Sequence, residues 1–265
     1  MDVFSSIPGG RASRALLAAK TRAAAVVFAA NFKCMAELRG LGAGRAGGPP
    51  LVLKRNGVLG IPPRVVRRAE PPRILGLGAL VPKKGFDTLV RACALVIRER
   101  PDIVLEIHGE GPERPHLERL ARELRLPVRL PGSYRHGDLA EILQGAAVVA
   151  LLSRRLPTGD SDGVPTVLIE ALAHGCPVVA TPVGSISDLV VNGETGWVVP
   201  PDDPDSAARA ILQILENRHE AERRALNGRR RVEEEFLATR AARAMVAAIV
   251  DVHARLAGGS GVNVA

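Results

Sequence analysis

The chain has 265 residues, of which 46% are hydrophobic and 24% are charged. This composition excludes a disordered chain, and the length suits one large domain or one domain with part of another. No apolar run reaches the roughly 18 residues that a membrane-spanning helix needs. The three cysteines are too few and too scattered for a disulfide framework or a zinc ribbon. We expect them to be buried thiols in a reducing compartment.

The net charge of +8 is concentrated toward the N-terminus. Residues 1–90 contain 15 Lys and Arg against 4 Asp and Glu, whereas residues 91–265 contain 21 against 24. A basic patch of this kind attracts nucleic acid, anionic lipid or phosphorylated ligands. Nucleic acid is the weaker interpretation, because aromatic residues are only 3% of the chain and bases stack on aromatic side chains. No zinc-finger or helix-turn-helix pattern is present either, so we expect no nucleic-acid partner.

The first 70 residues predict only part of a domain. The predicted elements are a basic, Ala-rich helix at about 12–22, a strand at Ala25–Ala29, a short helix at about 33–38, a Gly/Pro-rich loop at 42–50, a strand at Leu51–Leu53 and a basic linker at 62–72. The first helix fits either a solvated surface helix or one that lies on an anionic membrane. Two strands do not bury a domain core, so we assign residues 1–70 to a domain remnant and its linker.

From residue 73 onward, short apolar runs alternate with amphipathic segments of helical periodicity. The apolar runs predict strands at 73–77, 103–107, 128–130, 147–152, 177–180 and 196–199, and the helices include Phe86–Val96, Val164–His174, Ile186–Val191 and Pro204–Glu216. This alternation predicts an α/β fold, a Rossmann-like parallel sheet with helices on both faces. We assign residues 71–217 to this domain and expect its ligands at the carboxyl ends of the strands.

Residues 218–265 predict a C-terminal helix followed by a frayed tail. The segment 218–235 is highly charged, and apolar positions then recur from Phe236 to Val252. We interpret these residues as one long helix that packs across another element. The last residues, from Gly258 to Ala265, are expected to fray.

The segment from Gly159 to Ala173 has the strongest chemical signal. Pro165 fits the first helical turn, where its missing N–H is not needed, and the free amides that follow favour an anion. Glu170 is a lone carboxylate in an apolar helix, and burial of such a group is unfavourable unless it is hydrogen-bonded. It therefore either accepts hydrogen bonds from ligand hydroxyls or is satisfied by backbone or arginine. The spacing of Asp162 and Glu170 suits two contacts along one extended ligand better than a glycosidase pair.

Two glycine-containing segments follow predicted strands at the same edge of the sheet. In residues 76–86, Gly85 permits a tight turn and Lys84 lies at the entry to a helix, where a lysine can neutralise a phosphate. Two surface lysines in a turn are the alternative interpretation, and the Walker pattern is absent. Gly109 and Gly111 lie after the next strand, which is weak support on its own. None of the histidines has metal-ligand spacing, so we expect no metal site.

In this order, the motifs resemble the C-terminal, donor-binding half of retaining glycosyltransferases of family 4, which have the GT-B fold. The resemblance extends from Ile74 to about Leu215. It rests on residues 78–85 with the following Phe-Asp-Thr-Leu-Val, on Gly-Glu-Gly-Pro at 109–112, Leu-Pro-Gly at 130–132, Asp-Gly-Val-Pro at 162–165, Glu-Ala-Leu-Ala-His-Gly-Cys-Pro at 170–177 and Asn-Gly-Glu-Thr-Gly at 192–196. The Asp-Gly-Val-Pro form is similar to that of members in exopolysaccharide or cell-envelope glycan synthesis.

The resemblance implies a role for each matching residue. Lys84 would hold the donor diphosphate, and Asp162, at the first carboxylate of the family's Glu-x7-Glu motif, would contact the donor sugar. These two would be the catalytic residues. Glu170 matches the second carboxylate and would bind the ribose hydroxyls. The remaining donor contacts would come from Gly78, Gly109, Gly111, Pro131 and Gly132, and from Gly163, Val164, Pro165, Thr166 and Val167.

The resemblance also implies the reaction. A sugar would move, with retention of configuration, from a UDP- or GDP-linked nucleotide sugar to a glycan or lipid-linked acceptor. Lys84 would stabilise the negative charge that grows on the leaving diphosphate. No cofactor and no metal would be needed for donor binding. We expect a cytoplasmic protein, with peripheral contact to the anionic inner face of the membrane as an option.

Two features depart from the family pattern. Ala79 stands where the family usually has an arginine five residues before the lysine, which removes a contact of roughly 1.5–3 kcal/mol to the phosphates. Residues 24–60 resemble only the end of the family's N-terminal domain, with Asn56-Gly57-Val58 like the segment before the crossover. On the order of 100 residues, a typical domain's worth, are then expected to be absent.

Three interpretations follow from these departures. The first is a glycosyltransferase by descent, for which the sequence does not decide whether this short chain is active by itself. The second is an inactive or partner-dependent binding module, which would self-associate or take the missing N-terminal domain from a partner chain. The third is a sugar-nucleotide epimerase of the same fold. We disfavour it because the spacing of Asp162 and Glu170, together with Lys84, is more specific to the transferases.

Overall fold

The computed structural model describes residues 10–63 and 70–258. The predicted linker residues 64–69 and tail residues 259–265 lie outside this part. The helices are α1 (Gly10–Ala23), α2 (Phe32–Gly40), α3 (Phe86–Glu99), α4 (Arg114–Glu123), α5 (Leu139–Leu143), α6 (Thr166–Ala173), α7 (Pro204–Glu216), α8 (Arg218–Glu235) and α9 (Ala238–Gly258). The strands are β1 (Val27–Ala29), β2 (Leu51–Leu53), β3 (Arg73–Leu77), β4 (Val104–His108), β5 (Val128–Gly132), β6 (Ala146–Leu151), β7 (Val178–Ala180) and β8 (Trp197–Val198).

The chain divides into two compact units. The large unit is Gly60–Glu234, and the small unit combines Met1–Leu59 with Glu235–Ala265. The domain boundaries assigned from the sequence, at residues 70 and 217, differ from this division. The boundary at 217 differs because nearly all of α8, predicted as part of a separate C-terminal segment, belongs to the large unit.

The large unit contains the parallel sheet that the alternating pattern predicts. Its six strands have the order β5-β4-β3-β6-β7-β8, and every neighbouring pair is parallel. Ile74 and Leu75 of β3 are fully buried, as expected for a strand covered on both faces. The predicted α/β fold, with helices on both faces of the sheet, is confirmed. Because the chain order reverses between β3 and β6, the ligand crevice of such a sheet is expected at the carboxyl ends of these two strands.

Helix α8 packs on the large unit through its arginines. Arg224 donates a hydrogen bond of 3.2 Å to the Gly196 carbonyl oxygen, and its guanidinium lies 4.0 Å from the centre of the Trp197 ring. Arg223 donates to the Gly193 carbonyl oxygen at 2.9 Å. The charged segment after residue 217 is thus part of the fold of the large unit.

The single C-terminal helix predicted from the sequence is wrong, because the chain forms α8 and α9 with a break at 236–237. There the backbone leaves the helix to pair with Val58, whose N–H donates to the Phe236 carbonyl oxygen at 3.0 Å. Ala238 N–H donates in return to the Val58 carbonyl oxygen at 2.9 Å. These bonds replace helical ones and are part of a short parallel bridge between Val58 and Leu237.

Two shorter predicted helices also differ from the structure. The helix predicted to begin at Val164 begins at Thr166 instead, because Pro165 lies at the N-cap with an extended ψ of 126°. The helix predicted at Ile186–Val191 is a single 3-10 turn at Ile186–Asp188.

The small unit contains a two-stranded parallel sheet, and its two predicted strands and the short helix between them are confirmed. β1 pairs with β2 from Val27↔Leu51 to Ala29↔Leu53. Arg55 lies between two aromatic rings, 4.5 Å from that of Phe32 and 4.7 Å from that of Phe236, and pairs with Glu235. Within residues 10–63 and 70–258, none of the helices is both long and apolar enough to cross a membrane.

Candidate functional site

Glycine-containing loops pack side by side at the carboxyl edge of the sheet. Gly78 follows β3, Gly109 follows β4 and Gly132 ends β5. Gly109 has a φ of +150°, and a Cβ there would lie 1.8 Å from the Gly78 carbonyl oxygen. Its N–H donates to the Gly132 carbonyl oxygen at 2.8 Å, and Gly78 N–H donates to the His108 carbonyl oxygen at 3.0 Å. Only a glycine at position 109 allows the two loops to approach so closely. A ligand at this edge of the sheet would therefore contact loop backbone.

The structure brings Gly78, Gly109, Gly111 and Gly132 together but sets Pro131 apart from them. Gly111 continues the stacked loop, since a Cβ on it would lie 2.3 Å from the Leu80 carbonyl oxygen. Pro131 belongs to the edge strand β5 and is exposed, whereas Gly132 beside it is buried. Proline at an edge strand is consistent with its lack of an N–H donor.

Lys84 is held at this edge by a tight turn. It ends a 3-10 turn, Pro82–Lys84, and Gly85 follows with a left-handed φ of +65°. A Cβ on Gly85 would lie 2.0 Å from the Leu152 carbonyl oxygen, so the turn presses directly on the chain that leaves β6. The lysine stem passes close to Gly78, because a Cβ there would lie 3.7 Å from Lys84 Cε.

Asp162 and Lys84, predicted as separate donor contacts, form an ion pair. Lys84 Nζ donates to Asp162 Oδ1 at 3.0 Å, and their side chains are only 15% and 9% exposed. Ser153 Oγ donates to the other carboxylate oxygen, Oδ2, at 2.6 Å. Both oxygens of Asp162 therefore have a protein partner. The neighbouring Lys83 makes a more exposed pair with Asp160, at 3.1 Å.

Ser153 is a site residue that the sequence analysis missed. It is fully buried and follows β6 at the same edge as Lys84. The Thr181 hydroxyl donates to its carbonyl oxygen and fixes the backbone at that point. A polar residue directly after a buried apolar strand, at the edge where ligands bind, was the available signal.

The segment between Asp162 and α6 can contact a ligand through its backbone rather than through its side chains. Gly163 is exposed and its carbonyl oxygen accepts a bond of 3.4 Å from Ser185 N–H, while Val164 is half-buried and Pro165 buried. Thr166 and Val167 are the first residues of α6. Their N–H groups have no partner within the helix and are available to an anionic ligand, whereas the Leu168 N–H donates to the Pro165 carbonyl oxygen at 3.1 Å.

Glu170 lies on α6 and has partners different from those of Asp162. Its side chain is 15% exposed, and Oε1 lies 3.5 Å from His136 Nδ1. Burial raises the pKa of Glu170, and the charges of His136 and His174 partly offset this increase. Burial and the Glu170 carboxylate also raise the pKa of Tyr134, which follows β5. The site thus has a second polar region where α6 faces the loop after β5.

These groups determine which kinds of ligand the carboxyl edge of the sheet can bind. The Lys84 ammonium and the α6 amides attract phosphate oxygens, and the Asp162 and Glu170 carboxylates accept hydrogen bonds from hydroxyls. Residues 10–63 and 70–258 contain no cluster of three His, Cys, Asp or Glu side chains that could hold a metal ion. An elongated ligand that carries both phosphates and hydroxyls matches this set.

Comparison with known families identifies the class of protein. The sequence profile of the family described as glycosyl transferases group 1 matches residues 61–231. This match covers more than half of the chain, which therefore belongs to the group 1 glycosyltransferases. The matched region contains every residue of the site described above.

Two curated relatives illustrate the range of this family. The chain is 34% identical, over 156 residues, to the putative colanic acid biosynthesis glycosyltransferase WcaL of Escherichia coli, covering 58% of the chain and 37% of the relative. It is also 34% identical, over 158 residues, to a GDP-mannose-dependent phosphatidylinositol monomannoside mannosyltransferase of Corynebacterium glutamicum, covering 59% and 41% respectively. The chain thus spans about two fifths of the length of these relatives.

Solved structures of glycosyltransferases share the fold. Sucrose-phosphate synthase from Thermosynechococcus elongatus superimposes with a TM-score of 0.74 at 28% identity, covering 94% of this chain and 65% of that chain. HepE of Anabaena, in complex with UDP, superimposes with a TM-score of 0.76 at 19% identity, covering 94% and 70%. These neighbours support the GT-B class for the fold.

Proposed function

We propose that this chain is the donor-binding part of a retaining family 4 glycosyltransferase. It would transfer a sugar from a UDP- or GDP-linked nucleotide sugar to a glycan or lipid-linked acceptor, in polysaccharide or cell-envelope synthesis. The observation that carries the proposal is that Lys84, Asp162 and the glycine loops all lie at the carboxyl edge of the six-stranded sheet. The sugar-nucleotide dependence named for the mannosyltransferase relative, and UDP in HepE, support the same ligand class.

Each residue has a part in the proposed reaction. Lys84 binds the diphosphate, Asp162 accepts hydrogen bonds from sugar hydroxyls, and Glu170 accepts them from the ribose. The bond between the anomeric carbon and the diphosphate oxygen breaks, and the acceptor oxygen bonds to the same face of the sugar. The acceptor hydroxyl passes its proton to the departing diphosphate oxygen, and the nucleoside diphosphate leaves. The Lys84 ammonium and the α6 amides stabilise the charge that develops on the diphosphate, so we propose no cofactor for this step.

A second candidate is a binding module that depends on a partner for catalysis. It is favoured by the small unit, whose two-stranded sheet is below the size that forms a stable domain core. Self-association, or a partner chain that supplies the acceptor domain, would complete this sheet. Light scattering of the purified chain, and transfer assays with and without added partner domain, distinguish the two candidates.

We also propose a location for the protein in the cytoplasm, with peripheral contact to the inner face of the membrane. The support is the charge of the small unit, whose residues contain 12 Lys and Arg against 4 Asp and Glu. Basic surfaces are attracted to anionic lipids. Cosedimentation with anionic and with neutral vesicles tests this part, and equal recovery in both pellets contradicts it.

Calorimetric titration with UDP and with GDP, at fixed salt, tests donor binding. One nucleotide should bind, and Lys84→Ala and Glu170→Ala should each weaken binding about tenfold or more, since each removes a contact to a charged group. Lys83→Ala is the matched control, because Lys83 pairs with the exposed Asp160 and should stay within about twofold of the original affinity. Absence of binding by the folded chain, or equal losses in both lysine variants, contradicts the proposal.

A further inference from the structure

The Lys84–Asp162 ion pair bears on which phosphate-containing ligands the site selects. Lys84 donates to Oδ1 of Asp162, and Ser153 donates to the remaining carboxylate oxygen. The positive charge proposed to hold the diphosphate is therefore already neutralised. Any phosphate that binds Lys84 has to compete with this carboxylate.

The competition is not a weak surface effect. Lys84 and Asp162 are 15% and 9% exposed, and the serine that holds the carboxylate is fully buried. Water screens such a pair less than an exposed one. Loss of one partner leaves the other charge poorly solvated, so the pair is broken readily only by a ligand that supplies replacement partners to both groups.

Two ligands of the proposed reaction differ in this respect. A nucleotide sugar offers phosphate oxygens to Lys84 and sugar hydroxyls, as donors, to Asp162. The nucleoside diphosphate that remains after transfer has lost the sugar, so it offers this pair only phosphate oxygens, and it carries an additional negative charge close to the carboxylate. The donor thus supplies replacement partners to both Lys84 and Asp162, whereas the product supplies them to Lys84 only.

We propose that Asp162, oriented by Ser153, competes with the diphosphate for Lys84 and thereby makes the site prefer the intact nucleotide sugar over the nucleoside diphosphate. This inference rests on the proposed function. It adds a role in product release to the carboxylate, and it makes Ser153 a positioning residue. With Oδ2 fixed by the buried hydroxyl, Oδ1 is kept toward Lys84, where the competition takes place.

A double-mutant cycle on the nucleoside diphosphate tests the competition without knowledge of the sugar. The probes are UDP and GDP, and whichever binds the original chain is titrated into Asp162→Asn, Lys84→Ala and the double variant. Asp162→Asn should bind the nucleotide about fivefold more tightly, because its amide no longer neutralises Lys84. The gain should disappear on the Lys84→Ala background. An unchanged or weaker affinity in Asp162→Asn overturns the inference, as does a gain that persists without Lys84.

Ser153→Ala tests the positioning role. Its affinities for UDP and UDP-glucose, or for GDP and GDP-mannose, are compared with those of Thr195→Val. Thr195 is a buried residue of the same unit whose hydroxyl bonds to backbone at 189 and 191, so it controls for the loss of a buried hydroxyl. Ser153→Ala should lower the ratio of donor to product affinity about threefold or more, and Thr195→Val should leave it unchanged. The positioning role is overturned if the ratio of donor to product affinity is the same in both variants. It is also overturned if the change in this ratio merely parallels the loss of melting temperature.

These outcomes are separable from failure of the proposed function. If the folded original chain binds neither nucleotide, the donor-binding proposal itself is wrong, and the competition proposal falls with it. If a nucleotide binds and Lys84→Ala weakens it, but Asp162→Asn fails to strengthen it, only the competition is wrong.

Discussion

The two units of the chain differ in how completely they bury their own apolar residues. In the large unit, β3, β4 and β6 are buried at nearly every position and lie inside a six-stranded sheet. In the small unit, β1 and β2 form a two-stranded sheet whose residues are mostly half-buried. Helix α9 leaves large apolar side chains exposed at helical spacing, namely Val246, Ile249, Val250 and Leu256. The large unit has a well-buried core, whereas the small unit, in the part of it that the structure describes, leaves apolar surface exposed.

Charge separates the units in the same way. Residues 60–234 contain 24 Lys and Arg and 24 Asp and Glu, so the whole net charge of +8 belongs to the small unit. A neutral unit with a largely buried Lys84–Asp162 pair and a basic unit with exposed apolar surface suit different partners. The former suits a small ligand and the latter an extended anionic or macromolecular surface.

Leucine truncation in each unit tests the contrast most strongly. Leu105 on β4 is fully buried and Leu256 on α9 is 64% exposed. Leu105→Ala should lower the free energy of unfolding by about 2–5 kcal/mol, because it leaves a cavity, whereas Leu256→Ala should change it by less than about 0.5 kcal/mol. Urea denaturation followed by far-UV circular dichroism and by the fluorescence of Trp197 measures both. A comparable loss in the two variants would show that the exposed face of α9 is covered in solution.

An alanine at the stacked loops tests whether glycine is needed there. Gly109→Ala would place a Cβ 1.8 Å from the Gly78 carbonyl oxygen, at a φ of +150° that side chains rarely adopt. We expect a loss of stability of about 1–3 kcal/mol, together with loss of nucleotide binding. Gly40→Ala, in α2 of the small unit, is the control, since nothing lies within 4 Å of its Cβ position. Thermal melting and calorimetry check both variants, and normal binding by Gly109→Ala would contradict the loop assignment.

The same contrast explains which features the sequence predicts. The strands of the large unit are predictable because apolar runs bounded by glycine and proline identify them locally. The break at 236–237 is not, because it depends on hydrogen bonds to Val58, far away in the sequence. Lys84 and Asp162 are identifiable as polar residues at a sheet edge. Their ion pair is not, because it joins positions 78 residues apart and depends on the order in which β3 and β6 pair.

An arginine at position 79 tests the missing phosphate contact. Ala79 is exposed and lies between Gly78 and the Lys84 turn. Ala79→Arg should raise nucleotide affinity about tenfold, at the lower end of the 1.5–3 kcal/mol of a charge-assisted hydrogen bond. Ala254→Arg adds the same charge to α9 of the small unit and should have little effect at fixed salt. Equal gains in the two variants would mean that long-range attraction, not a contact in the large unit, raises the affinity.

The smallest expected effect concerns the titration of Glu170. Because burial raises the pKa of this carboxyl above its unfolded value, the folded state favours the protonated form. Stability should therefore fall as the pH rises from the unfolded pKa through the folded one, and stay at the lower level above it. Glu170→Gln should remove this dependence, so that it is slightly more stable than the original chain at neutral pH while it binds nucleotide more weakly. Glu141→Gln, at an exposed position of α5, should show neither effect.

Urea midpoints measured from pH 4 to 8 check the sign of this titration. A site residue that lowers stability while it supports binding is expected where function, not packing, keeps a carboxylate half-buried. If Glu170→Gln is less stable than the original chain at neutral pH, the His136 contact outweighs the burial of the charge. Glu170 would then hold α6 against the loop after β5 in the absence of ligand, and weaker nucleotide binding in the variant would reflect a displaced loop instead of a lost hydrogen bond to ribose.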